Sequence, residues 1–449
     1  MTAVDERGPF ITSAPKLGLV TAFDGIRGIG VCMVLVGHAL FEYVESWVTI
    51  VDTFFELSGF LITSLLLQEV RTTGTISLKK FYLRRATRLL PSVWLFAAVW
   101  LLISSVATLV GFEELSLRHV GADALAAIAY VYHLFFPNGL YVIEPDVQEF
   151  RTMWHLWTLS VEEWFYLVIA GTVLVCVRRR WVLQLGLLMV GAFVAIGIAR
   201  WNAYTGFFQD DDGMLAGVRM AFLQRPDALM LGVAIASFNA YVTAERAERW
   251  RRPMLWLCNA ALVVWFAMLN LSSGLVRKLG GPYLDYLPAG PEEFSRPQML
   301  DTMYWFRFGH TVGALGFGVI LIGLVRYREW WLPRLWSWSP FQWMGRLSYT
   351  LYVWHALPFI ILSALLGGSD ASLSLQLART PILIVAAFAV SMPVYYLVEL
   401  RVLRMKLRFS AEDEALDLRT GKMVDVQKVN DTTRSERDGA PGEPGAPRG

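Results

Sequence analysis

The chain holds 449 residues, 55% of them apolar and only 17% charged, with 40 Lys and Arg against 38 Asp and Glu. Ordinary soluble chains carry roughly 25% charged residues, and a surface this size needs them for solvation. The composition therefore excludes a soluble enzyme, and the formal net charge of +2 gives no basic field for nucleic acid. What remains is an all-α polytopic membrane bundle.

Residues 1–20 contain no long apolar run after a basic start, so no cleavable signal peptide is expected. Apolar stretches near the ~20 residues that cross hydrocarbon follow in order: 25–44, 50–69, 89–110, 157–177, 181–199, 218–239, 253–271, 304–325, 345–366 and 380–399. An Ala-rich run at 122–137 is shorter. Leaving it out of the count puts 21 Lys and Arg in connections 70–88, 178–180, 241–252, 326–346 and 400–408, and 8 in those on the other side. The positive-inside rule then predicts ten spans with both termini cytoplasmic, and 122–137 as a re-entrant or peripheral helix in an outer loop. Residues 1–20 form a cytoplasmic segment and 21–408 the transmembrane unit. The polar, Pro- and Gly-rich 409–449 reads as a disordered cytoplasmic tail. Cys32, Cys176 and Cys258 lie far apart in apolar runs, as small buried hydrophobes, with no metal-ligand or disulfide spacing.

Ionisable groups inside spans are costly and point to function. At 1.5 Å per residue, His38, Glu56, Glu162, Glu163, Arg225 and Asp227 all fall about 8–10 Å below the outer face. Such a layer is a reactive site or a buried ion-pair network. Arg27 and His38 stand eleven residues apart, three turns on one stripe and about 16 Å along the axis. That spacing suits a long substrate whose anionic end meets Arg27 at the cytoplasmic mouth and whose reactive end meets the imidazole. Glu162 or Glu163 is positioned to orient His38 as a base. Glu56 needs a partner at its depth, Arg225 or His38, with Arg225 favoured.

In SLKKFYLRRATRLLP, Arg84 and Arg88 are i,i+4 with Arg85 beside them: a positive-inside loop, or guanidinium groups gathered for phosphates. In GRLSYTLYVWHALP, Tyr349, Tyr352 and His355 recur along one side of a span, lining a cavity or packing with local hydrogen bonds.

Six segments in order resemble the acyltransferase-3 family of integral-membrane acyltransferases: FDGIRGIGVCMVLVGHA with its Arg-x10-His, VDTFFELSGFLIT, FYLRRATRLLP, WHLWTLSVEEWFYL, RPDALMLGVAIA and GRLSYTLYVWHALP. A Glu in YYLVEL follows, and the likeness covers about residues 20–405. It implies transfer of an acyl group, typically acetyl, from acyl-CoA to a hydroxyl of a carbohydrate, glycolipid or related envelope acceptor, at a bacterial inner membrane. It implies that His38 is the essential histidine, Arg27 its motif partner, and Arg84, Arg85 and Arg88 the basic loop by the donor entrance. Glu56 and Trp164 depart from the family pattern, which has an aliphatic residue and Gln there, and Leu-Arg follows Glu399 in place of Arg-Pro. With no hydrolase-like domain expected after the last span, a second-step partner would be a separate periplasmic chain. The competing class is a transporter of a lipid-linked sugar, disfavoured by the lack of inverted repeats.

Overall fold

A computed structural model describes residues 12–14, 17, 20–40, 43–112, 115–135, 152–203, 225–282, 304–367, 372–402, 414–417 and 422–425. The described residues are helical almost throughout. Helix α1 spans Thr21–Ala39, and a 3₁₀ turn at Glu45–Thr49 leads into α2, Ile50–Thr73. Then follow α3 (Leu78–Leu109), α4 (Leu117–Ile128), α5 (Tyr132–Phe135), α6 (Trp157–Arg179) and α7 (Val182–Ala203). Next come α8 (Pro226–Asn239), α9 (Ala244–Arg249), α10 (Arg251–Asn270), α11 (Gly274–Lys278) and α12 (Tyr304–Arg326). The last helices are α13 (Trp331–Trp336), α14 (Ser339–Trp354), α15 (Ala356–Leu365) and α16 (Leu373–Val394), the last running into a π-helical turn at Tyr395–Glu399. Glu414–Asp417 and Lys422–Asp425 pair as an antiparallel hairpin in the segment read from sequence as disordered.

Among the described residues, eight helices are long and apolar enough to cross a membrane, and α14 with α15, bent by 59° at their junction, add a ninth if the pair forms one span. The chain is thus a multi-pass helical bundle. The expected span 218–239 is described only as α8, since 204–224 lie outside the described residues. The run expected at 122–137 is broken at Ala129–Val131, where Tyr130 takes a left-handed backbone (φ 55°), so α4 and α5 fold back over α3 and α6.

Two helix pairs approach closely enough to exclude side chains. A Cβ on Gly28 of α1 would stand 2.1 Å from the Phe341 carbonyl oxygen of α14. One on Gly59 of α2 would stand 2.1 Å from the Leu229 oxygen of α8. In lipid, where apolar burial drives little association, such small-residue seams let backbones meet. They clamp α1 to α14 and α2 to α8. The first pair carries the histidines and the second the buried ion pairs.

Candidate active site

Three histidines converge where helices end or break. His38 sits in the last turn of α1, which closes at Ala39, nearer the helix end than the sequence span 25–44 implied. His155 lies in the 3₁₀ turn Trp154–Leu156 that opens α6. His355 occupies the 59° break between α14 and α15. A helix interior has its carbonyls committed; the break leaves that of Tyr352 without a backbone donor, while that of Leu351 still takes the His355 N–H, and the His355 ring uses this. Its Nδ1 lies 2.7 Å from the Tyr352 carbonyl oxygen and 3.2 Å from that of Leu351. A carbonyl only accepts, so Nδ1 carries the proton and Nε2 presents a lone pair. That Nε2 stands 2.8 Å from His38 Nδ1, so His38 donates from Nδ1. The tautomer follows: the lone pair of His38 is on Nε2, which no described residue engages. The His38 side chain is half-buried, so this nitrogen is left for an incoming group.

Around this pair stand Trp154, its ring edge-on to His38 at 4.9 Å between centroids, and His155, 5.0 Å from His355. His155 is fully buried and donates from Nε2 to the Val353 carbonyl at 3.0 Å. The Tyr352 hydroxyl donates to the His155 carbonyl and meets the Thr158 hydroxyl at 2.6 Å. These bonds tie the turn before α6 to the break after α14 and so hold the imidazoles in register.

The layer expected from depth alone divides into three groups. The first is the histidine pair. In the second, neither Glu162 nor Glu163 contacts His38. Glu163 binds Arg85 at 2.7 Å, and the Arg85 guanidinium lies 3.8 Å over the Tyr166 ring. Glu162 faces Ser58 and lies within electrostatic reach of Arg27 and Arg85. Adjacent residues project 100° apart on a helix, which separates the two carboxylates. Arg84 pairs with Glu69 at 3.2 Å, bracing α3 to α2.

The third group belongs to the α2–α8 seam. Arg225 pairs with Asp52 at 3.3 Å and donates to the Val48 carbonyl. Asp52 also takes His310 Nδ1–H at 2.6 Å, and Arg200 meets Asp227 at 2.7 Å. The favoured Glu56–Arg225 pair is therefore not formed: Asp52, one turn before Glu56, occupies the guanidinium instead. Glu56 is fully buried, and neither carboxylate oxygen has a hydrogen-bond partner. Asp52, Arg200 and His310 complete this group without standing out in the sequence, where the i,i+4 spacing of Asp52 and Glu56 is the available signal.

Tyr349 donates its hydroxyl to the Leu89 carbonyl at 2.6 Å, joining α14 to α3 beside Arg88. Thr350 donates to Glu399 in the π-helical turn. Arg27 and Arg88 stand within electrostatic reach of each other and of Asp24, at the end of α1 away from His38. Among the described residues no three metal-ligating side chains are grouped to hold an ion.

The Acyltransferase domain family matches residues 20–396. Peptidoglycan O-acetyltransferase OatA of Listeria monocytogenes is 28% identical over 346 residues, 75% of this chain and 49% of that protein. YrhL of Bacillus subtilis, provisionally named a peptidoglycan O-acetyltransferase, is 27% identical over 77% of this chain and 49% of its own. A provisionally named O-acetyltransferase of Staphylococcus aureus strain COL is 28% identical over 77% of this chain and 51% of its own. The chain thus spans about half the length of the curated relatives it matches. No solved structure matches it.

Proposed function

The chain belongs to the Acyltransferase domain family and is an acyltransferase, and on that premise we propose that it moves an acyl group, acetyl above all, from acyl-CoA to a hydroxyl of a cell-envelope glycan. The observation that carries the reading is the oriented lone pair of His38. The Tyr352 carbonyl sets the tautomer of His355, and His355 sets that of His38. His38 Nε2 then removes the proton of the acceptor hydroxyl as its oxygen bonds to the acyl carbon. The tetrahedral centre collapses, the C–S bond breaks, and the imidazolium returns its proton to the leaving thiolate. Positive charge gathered on His38 during attack is spread to His355 through the Nδ1–H bond.

Arg27 and His38, about 16 Å apart on one stripe, match a donor whose phosphates and thioester are joined by a long arm. Arg27 and Arg88 are assigned to the anionic end of that donor, at the end of the bundle where Lys and Arg concentrate. Peptidoglycan, the acceptor named for the Listeria relative, is the favoured glycan. A bacterial inner membrane is the setting that supplies both a cytoplasmic thioester and an outward-facing glycan.

The test is His38→Ala, purified with wild-type yield and assayed for transfer of labelled acetyl from acetyl-CoA to a soluble muropeptide. Loss of transfer by at least about 10³-fold is expected for removal of a general base with its alignment. Transfer at the wild-type rate would refute the mechanism.

A further inference from the structure

The end of the bundle that carries Arg27 and Arg88 holds a third guanidinium, Arg346. Three contacts fix its place. Gly345, its neighbour in α14, lies so close to α1 that a Cβ there would stand 1.8 Å from the Asp24 carbonyl oxygen. Tyr349, one turn further on, donates to the carbonyl of Leu89, the residue after Arg88. Arg27 is one turn along α1 from Asp24. Helices α1, α3 and α14 therefore bring Arg27, Arg88 and Arg346 to one junction, each half-buried. The Asp24 carboxylate lies within electrostatic reach of all three.

The three differ from their neighbours in the basic loop. Arg84 is tied to Glu69 and Arg85 to Glu163. Arg27, Arg88 and Arg346 make no ion pair or hydrogen bond within the described residues. Asp24, within electrostatic reach of all three, and Glu162, within reach of Arg27, touch none of them at ion-pair distance, so no guanidinium of the three is directly paired. Like charges held together at partial burial repel, and neither carboxylate relieves this by a direct pair. Guanidinium groups fixed from three helices match the several oxygens of a phosphate or diphosphate, which accept paired N–H donors.

We propose that Arg346 is the third arm of a phosphate seat formed with Arg27 and Arg88, taking the diphosphate or phosphate monoester of the donor. Arg84 and Arg85, already paired, brace the helices around it. The identity of the ligand rests on the acyl-CoA reading above. The chemistry recognised, phosphate oxygens beside an apolar arm, is shared with an anionic phospholipid headgroup, and the experiment separates the two.

The full chain in zwitterionic nanodiscs is titrated calorimetrically with coenzyme A, dephospho-coenzyme A, inorganic pyrophosphate and, by lipid exchange, phosphatidylglycerol. Arg346→Gln is expected to weaken coenzyme A binding by about tenfold or more, as for loss of a charge-assisted pair. Arg346→Lys, which keeps the charge and loses the fork, falls between. A deficit that vanishes with dephospho-coenzyme A places Arg346 on the monoester; one that persists places it on the diphosphate. Equal coenzyme A affinity of Arg346→Gln and wild type overturns the proposal while leaving the acyl-CoA reading intact. If the wild type binds no coenzyme A, the acyl-CoA reading fails. The seat then stands on Arg346-dependent binding of pyrophosphate or phosphatidylglycerol, and falls if neither binds. Should Arg346→Gln misfold, phenylglyoxal labelling of the wild type decides: coenzyme A protects Arg346 from modification, and unprotected Arg346 in the saturated protein overturns the proposal.

Discussion

Replacing His355 by Leu removes the group that orients His38 while filling much of its volume. His355 accepts the His38 Nδ1–H at 2.8 Å. Without that acceptor the donor is stranded in a mostly apolar surround, a loss of about 1–3 kcal/mol for a buried unsatisfied group. The imidazole escapes the penalty by moving its proton to Nε2 or by turning, and either takes the lone pair from the acceptor hydroxyl. Misorientation of this size lowers kcat about 10- to 100-fold, since each ~1.4 kcal/mol on the barrier is tenfold in rate. The donor KM stays unchanged, because the arginines near Asp24 stand at the other end of α1. His355→Gln is the decisive companion: its carbonyl oxygen accepts from His38 while its amide donates to the Tyr352 carbonyl, so kcat recovers most of the loss. The assay is steady-state acetyl transfer in nanodiscs with donor and acceptor varied separately. A Leu variant with wild-type kcat refutes the argument. So does a pair of Leu and Gln variants equally impaired with raised donor KM, which would make His355 a wall of the donor channel.

Asp227→Ala strands the fully buried Arg200 guanidinium, whose remaining described contact is the Thr311 hydroxyl; thermal unfolding should show a loss of about 3–5 kcal/mol. Glu329→Ala breaks the Arg251 pair at a similar distance, 2.8 Å, but on the surface, and should leave the unfolding midpoint unchanged. Glu56→Gln removes no ion pair, since no described cation touches that carboxyl, and should keep wild-type yield; a collapse of yield would show that Glu56 has a partner. Burial lowers the His133 imidazole in α5 from 6.5 to about 4. The unfolded segment takes up a proton near 6.5 and the folded one does not, so stability of α4–α5 is full above that pH and falls as pH drops towards 4. Hydrogen exchange over 117–135 should show this slope in the wild type and not in His133→Phe.

The sequence by itself determined the solvent, the class and the motif order. A chain with 17% charge and repeated apolar runs of membrane length has no option but a helical bundle in lipid, because only helices or closed barrels satisfy their own backbone there. Eleven residues also fix Arg27 and His38 on one stripe whatever surrounds them, since helical geometry is local. Partner choice is not local. Depth along separate helices placed His38, Glu56, Glu162, Glu163, Arg225 and Asp227 in one layer, yet depth says nothing about rotation of one helix against another. Only the tertiary structure decided that His38 meets His355, that Asp52 takes Arg225 from Glu56, and that Arg85 takes Glu163. The physical reason lies in the seams: glycine contacts set the rotation of α1 on α14 and of α2 on α8 to within a side chain's width. The break at His355 was equally hidden, because the kink leaves the Tyr352 carbonyl without a backbone donor, which no periodicity of the sequence reports, and that carbonyl sets the tautomer on which the proposed chemistry depends.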